Sequence, residues 1–301
     1  MLDRILSWMR KVKLIDSMRD FLTYWRTYSG RDPKEMFQGW LMDYISNYPE
    51  LLIAEVNYRR GLTQLRNIMI KEVLPKLDLM IHDIIEAWML ILQNLEAVYS
   101  LAAEVLPSHL DPIFAIYVAS GWRRDWIASI LGKPAVFIDL GGLAEVNWVS
   151  EDKIRGMLAF NLGTLYHALR RGGVEKFRKL EADPFFRLYS EGFAQLTEHL
   201  ILNLEFSHVL TEGSVKKFEQ KIPEIAVEYL TRAEKGDVED FYSPKNEIHG
   251  VKFAAAYLGH LFSKTLGEEE IDLEELAGLP EPDVERFSKN LLRELAEKTR
   301  K

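Results

Sequence analysis

The sequence predicts a mainly helical α+β protein with one small β-sheet. Helical patterning runs through the first hundred residues and resumes at Ser150. Between these regions, residues 113–118 and 135–140 are rich in β-branched and aromatic side chains. They are bounded by Asp111-Pro112, Ser120-Gly121, Gly132-Lys133-Pro134 and Gly141-Gly142, and so read as strands. A chain of 301 residues that is 48% hydrophobic is also long enough to bury a large core.

In order along the chain, helices are expected over residues 2–25, 33–47 and 62–105, the last broken near Pro75. Asp32 is placed to cap the second, with Pro33 at the first helical position, and Tyr48-Pro49 marks a turn. The apolar stretch 84–101 is interrupted by Glu86, Gln93, Asn94 and Glu96, which makes it a buried helix and not a membrane span. After the two strands, Ser150 is a candidate N-cap, with Glu151 and Asp152 in the first turn of a helix that stops at Gly172-Gly173. A helix after Asp183-Pro184 contains Glu191 and His199. A polar segment over 212–217 then precedes a helix ending near Lys235-Gly236-Asp237. Residues 251–266 form a further helix stopped by Gly267, and an amphipathic helix runs from Asp283 in the charged tail. This divides the chain into a helical region, 1–106, and a sheet-plus-helix region, 107–301, packed as one unit.

Composition removes several classes of function. With no cysteine there is no disulfide, thiolate metal site or cysteine nucleophile, which suits a cytoplasmic protein. A net charge of −8 argues against nucleic acid, and the basic pairs Arg123-Arg124 and Arg170-Arg171 read as solvated surface. Residues 1–15 alternate Leu2, Ile5, Leu6 and Met9 with Arg4, Arg10, Lys11 and Lys13, and no small-residue cleavage site follows. Docking of that apolar stripe on the parent domain is favoured over a membrane surface. The glycine-rich nucleotide fingerprints and the Gly-x-Ser-x-Gly elbow are missing, so nucleotide binding and serine hydrolysis have no support.

The most informative segment is 157–167, Met-Leu-Ala-Phe-Asn-Leu-Gly-Thr-Leu-Tyr-His. With the two strands before it and Ser190-Glu-Gly-Phe-Ala-Gln195 after it, residues 112–202 resemble zincin metallopeptidases of the gluzincin type. Gly163 and His167 fit the run that follows the first histidine of the His-Glu-x-x-His motif, and Glu191 falls twenty-seven residues past Thr164. The resemblance implies a zincin-like metallopeptidase fold with an N-terminal helical region. It also implies that positions 160 and 164 would be zinc ligands, 161 the general base and 191 the third ligand. Phe160, Asn161 and Thr164 occupy the first three, so neither imidazole nor a proton-accepting carboxylate is present.

The expectation is therefore a pseudo-metallopeptidase without catalytic residues or zinc, holding a peptide or partner segment in the former cleft. One alternative is a hydrolase with relocated ligands. Phe160, Thr164, His167 and Arg171 share a helical face, so His167, Glu191 and Glu198 would form a displaced site suited to manganese. Against it, Glu191 has Arg187 as an i−4 neighbour with which to pair. Another alternative is a helical interaction or membrane-surface protein acting through residues 1–15. His249 and His260 are read as structural histidines in preference to remnants of an oxyanion site. Trp122, Trp126, Tyr166, Phe185 and Phe186 are read as core or cleft residues.

Overall fold

A computed structural model describes residues 12–119, 125–268 and 271–297. Its sheet contains β1 (Lys13–Asp16), β2 (Ile113–Tyr117), β3 (Asp125–Ile130) and β4 (Lys133–Asp139), in the order β1-β2-β4-β3. β1, β2 and β4 are parallel, and β3 runs antiparallel at one edge. Phe114 to Tyr117 and Ala135 to Asp139 are buried without interruption, as parallel strands covered on both faces require. β2 and β4 are the two strands expected from the sequence. β3 turns into β4 through Leu131-Gly132, both at positive φ, and was not anticipated.

β1 corrects the expectation of a helix over 2–25. Lys13 pairs with Ile113 and Asp16 with Ile116, so this short segment becomes a strand through a partner a hundred residues away. Asp16 then accepts a hydrogen bond from Met18 N at 3.0 Å, and α1 (Met18–Tyr28) begins. Residues 1–11 of the anticipated amphipathic helix lie outside the described residues, as do Trp122 and the pair Arg123-Arg124.

α2 (Pro33–Gly39) starts as expected, with the Asp32 side chain accepting from Lys34 N at 2.9 Å. It continues through a wide turn, Trp40–Tyr44, and a tight one, Ile45–Asn47. Pro49 opens α3 (Pro49–Tyr58) where only a turn was expected; proline is well suited to a first helical turn. α4 (Leu62–Ile68) and α5 (Leu77–Val105) flank the irregular helical turns around Pro75. Trp40 Nε1 donates to Val118 O at 3.0 Å, and Tyr44 Oη accepts from Val118 N at 2.9 Å, tying these helices to the end of β2.

Gly141-Gly142, expected as a turn, lies in α6 (Leu140–Glu145), capped by Asp139 accepting from Gly141 N at 3.1 Å. α7 (Glu151–Arg170) carries the motif positions and stops at Gly172 and Gly173, at φ of 92° and 107°. After α8 (Val174–Leu180), Asp183 caps α9 (Pro184–Leu202), accepting from Phe185 N and Phe186 N at 2.9 and 2.8 Å.

The polar segment over 212–217 lies in helix α10 (Glu212–Glu219), followed by α11 (Ile222–Ala233). Val251 is not helical but belongs to a hairpin, β5 (Glu247–Ile248) and β6 (Val251–Lys252), which turns at His249-Gly250 with both φ positive. Helix resumes in α12 (Ala254–Glu268), α13 (Leu273–Gly278) and α14 (Glu281–Glu297).

The architecture is mainly helical with a small mixed sheet. Two compact units divide the chain inside α5 and α7, which differs from a boundary at 106/107. The sheet groups with the N-terminal helices through Tyr99 and with Asp111–Arg155; Ser100–Leu110 and the chain from Gly156 form the second unit. The second unit's core includes Leu188, Ile225, Tyr229, Phe241, Tyr257, Leu258, Phe262 and Leu292. Among the described residues no helix is long and apolar enough to cross a membrane.

Candidate functional site

Two glycines a double helical turn apart let α7 approach α9. A Cβ at Gly163 would lie 1.7 Å from Thr197 Oγ1, and one at Gly156 would lie 2.2 Å from His208 Cβ and 2.7 Å from Glu198 Oε1. Such distances leave no room for a side chain. The helices therefore meet backbone to side chain along the stretch where the zincin resemblance implies a metal site.

At the three motif positions the side chains serve packing and the helix backbone. The Asn161 amide donates to Met157 O at 2.9 Å, and the side chain is buried. Thr164 Oγ1 donates to Phe160 O at 2.9 Å, the back-bond common for hydroxyls inside helices. Phe160 packs edge-on against the imidazole of His208, with ring centroids 5.7 Å apart.

His167 faces α9 but is no ligand. It is fully buried among Phe177, Phe186, Tyr189 and Phe193, the nearest ring centroid being that of Phe193 at 4.6 Å. Burial, reinforced by the Arg171 charge, holds its pKa well below the ordinary value, so the ring is neutral. Arg171 Nε donates to His167 Nε2 at 3.2 Å, which leaves the ring proton on Nδ1 and occupies the lone pair a metal would need. Arg171 is itself buried, bonds Leu279 O and stacks over Phe186 at 5.2 Å; desolvation lowers its pKa. The surface reading holds for Arg170, which pairs with Glu274 at 2.7 Å, and fails for Arg171.

Glu191 and Glu198 are also parted. Glu191 turns to α12, where a Cβ on Gly259 would lie 2.6 Å from its Cγ, and its Oε1 accepts from Gln195 Nε2 at 2.9 Å. Arg187, its expected partner, pairs with Glu239 at 2.7 Å and lies 3.7 Å over the Tyr242 ring. Glu198 is fully buried. It accepts from Ser207 Oγ at 2.6 Å and His208 N at 2.7 Å, and its Oε1 lies 3.0 Å from His208 Nδ1. The carboxylate nearest the motif face is thus Glu198, held through Ser207 and His208. The sequence reading missed both of these residues, since they follow α9 in a turn with no periodic signature.

The residues present do not fit zinc. Position 160 is a hydrocarbon ring and position 164 a neutral hydroxyl bonded to its own helix, the Nε2 lone pair of His167 is occupied, and both oxygens of Glu198 already accept hydrogen bonds. Among the described residues no group of three or more His, Asp or Glu side chains could hold a metal ion. His249 pairs with Glu228 at 2.8 Å, and His260 is buried on α12. Trp126, Tyr166, Phe185 and Phe186 are buried core residues. No protein-family model, curated protein or solved structure matches the chain.

Proposed function

We propose that the chain is a non-catalytic protein on a zincin-type scaffold, a pseudo-metallopeptidase that holds an extended peptide or partner segment without cleaving it. The observation that carries this reading is the use of the motif positions. Thr164 and Asn161 bond carbonyls of their own helix, and Phe160 packs on His208, so none is set up to activate water. The order of elements supports the scaffold: parallel strands, an antiparallel strand beside the last of them, then α7 and α9.

The holding role rests on β3. It is the last strand of its sheet and is paired only on the β4 side among the described strands. An edge strand offers backbone donors and acceptors to an added strand, a recurring way for a sheet to take up an extended peptide. The reading that function resides in a helix over 1–15 loses residues 13–15 to β1.

The test is a pool of extended peptides offered to the full chain with zinc or manganese added. Hydrolysis no faster than in buffer is expected, with slowed amide exchange over residues 125–130 in the presence of binding peptides. Metal-dependent turnover, or a peptide pool that leaves those amides unaffected, would overturn it.

A further inference from the structure

In the second unit, α9 and α12 cross closely at two glycines. A Cβ on Gly192 would lie 2.5 Å from Phe262 Cβ, and one on Gly259 would meet Glu191 and Gln195. Near this crossing the helices bring His199 and His260 face to edge, with ring centroids 5.8 Å apart and planes at 72°. His260 is 6% exposed and stacks on Phe206 at 5.1 Å.

His199 Nε2 and His260 Nδ1 are both buried without a hydrogen-bond partner. An unmet polar atom of this kind is costly to bury. Two such nitrogens stand on neighbouring rings of two crossing helices. Burial lowers the pKa of both rings, that of His260 to about 4, so at neutral pH each has a lone pair to donate. With metal–nitrogen bonds of about 2 Å, two imidazoles sharing one ion place their ring centres roughly 5–6 Å apart.

We propose that His199 and His260 form a two-imidazole site for a nitrogen-preferring d-block cation, Zn²⁺ or Cu⁺. This site is separate from the motif positions on α7 and goes beyond the pseudo-peptidase reading. The charged groups that act on these rings are Glu198, which favours a cation near His199, and Lys264, which opposes one near both. The Lys264 ammonium lies over the Phe206 ring at 5.8 Å. Among the described residues no third His, Asp or Glu side chain completes the pair, so two imidazoles are the whole side-chain ligand set and the ion exchanges readily. Such a site empties on chelation without unfolding the chain.

The experiment uses the full chain stripped with chelator, then titrated calorimetrically with Zn²⁺ and, anaerobically, with Cu⁺; Mg²⁺ serves as the hard-ion control. One Zn²⁺ or Cu⁺ per chain is expected, with a rise in melting temperature, and no response to Mg²⁺. His199→Gln and His260→Gln should each weaken binding about tenfold or more, whereas His82→Gln, at an exposed position, should leave it unchanged. Imidazole NMR of the wild-type chain provides a readout independent of the variants: the His199 and His260 signals should shift together with the bound ion. If neither ion saturates the wild-type chain, if both variants bind as it does, or if those signals stay fixed, the proposal is wrong.

Discussion

The two faces of α9 are held by different means. Toward α7, Phe193 and Phe186 surround His167, and Thr197 occupies the space left by Gly163, so the contact is rich in rings and has no slack. Toward α12, Glu191, Gln195 and His199 lie against Gly259, Ala256 and His260, so polar side chains fill the interface. The difference explains why Glu191 and Glu198, at a helical repeat, do not join in one carboxylate site. The face turned to the motif helix is the drier one, and Glu191, Gln195 and His199 look the other way. Glu198 sits at the margin and is used to fasten the turn that carries Ser207 and His208.

This contrast can be broken by substitution, and the dry face should suffer most. Gly163→Ala places a methyl on Thr197 Oγ1, and its loss should exceed the helix-propensity gain of about 1 kcal/mol. A net destabilisation of about 3 kcal/mol in urea unfolding is expected, partly recovered by Thr197→Ala. Glu198→Gln should cost about 2 kcal/mol, because an amide NH₂ then opposes the Ser207 or His208 donors. Gly259→Ala meets only the movable side chains of Glu191 and Gln195, so about 1 kcal/mol is expected, chiefly from the displaced Gln195 bond to Ala256 O. Equal losses for Gly163→Ala and Gly259→Ala would erase the distinction between the faces.

The smallest effect is a dependence on pH that both faces share. His167, His199 and His260 all have pKa values below 6.5 in the folded chain, chiefly from burial. The unfolded chain therefore binds more protons, and stability rises with pH through this range. What these histidines contribute is present above pH 6.5 and is lost as the pH falls toward the folded values, about 4 for His260. Melting temperature should drop between pH 6.5 and 4, and His260→Gln should flatten part of that slope. A slope identical in the variant would show that His260 remains neutral in the unfolded chain or is charged in the folded one.

Local signals that stand alone were readable in the sequence. Asp32 and Asp183 cap their helices, Gly172 and Gly173 end α7, and the uninterrupted apolar runs of β2 and β4 form the centre of the sheet. What needs a distant partner was not readable. Lys13–Asp16 has a helix-compatible composition and is a strand only because β2 lies beside it. Glu191 and Glu198 are seven residues apart and nearly coincide on a helical wheel, so periodicity could not show that they reach different neighbours two turns apart. Arg171 looked like surface because nothing local records that Leu279 O and His167 enclose it.

We propose that α7 is a zinc-peptidase helix stripped of its chemistry. This is tested most directly by restoring that chemistry with Phe160→His, Asn161→Glu and Thr164→His together, and measuring zinc per chain against the wild type under the same metal-buffered dialysis. The two new imidazoles would stand one turn apart, with the first in the place of Phe160 beside His208 and Glu198. The account predicts about one zinc per chain more in the triple variant than in the wild type. The same zinc content in both folded proteins would contradict it.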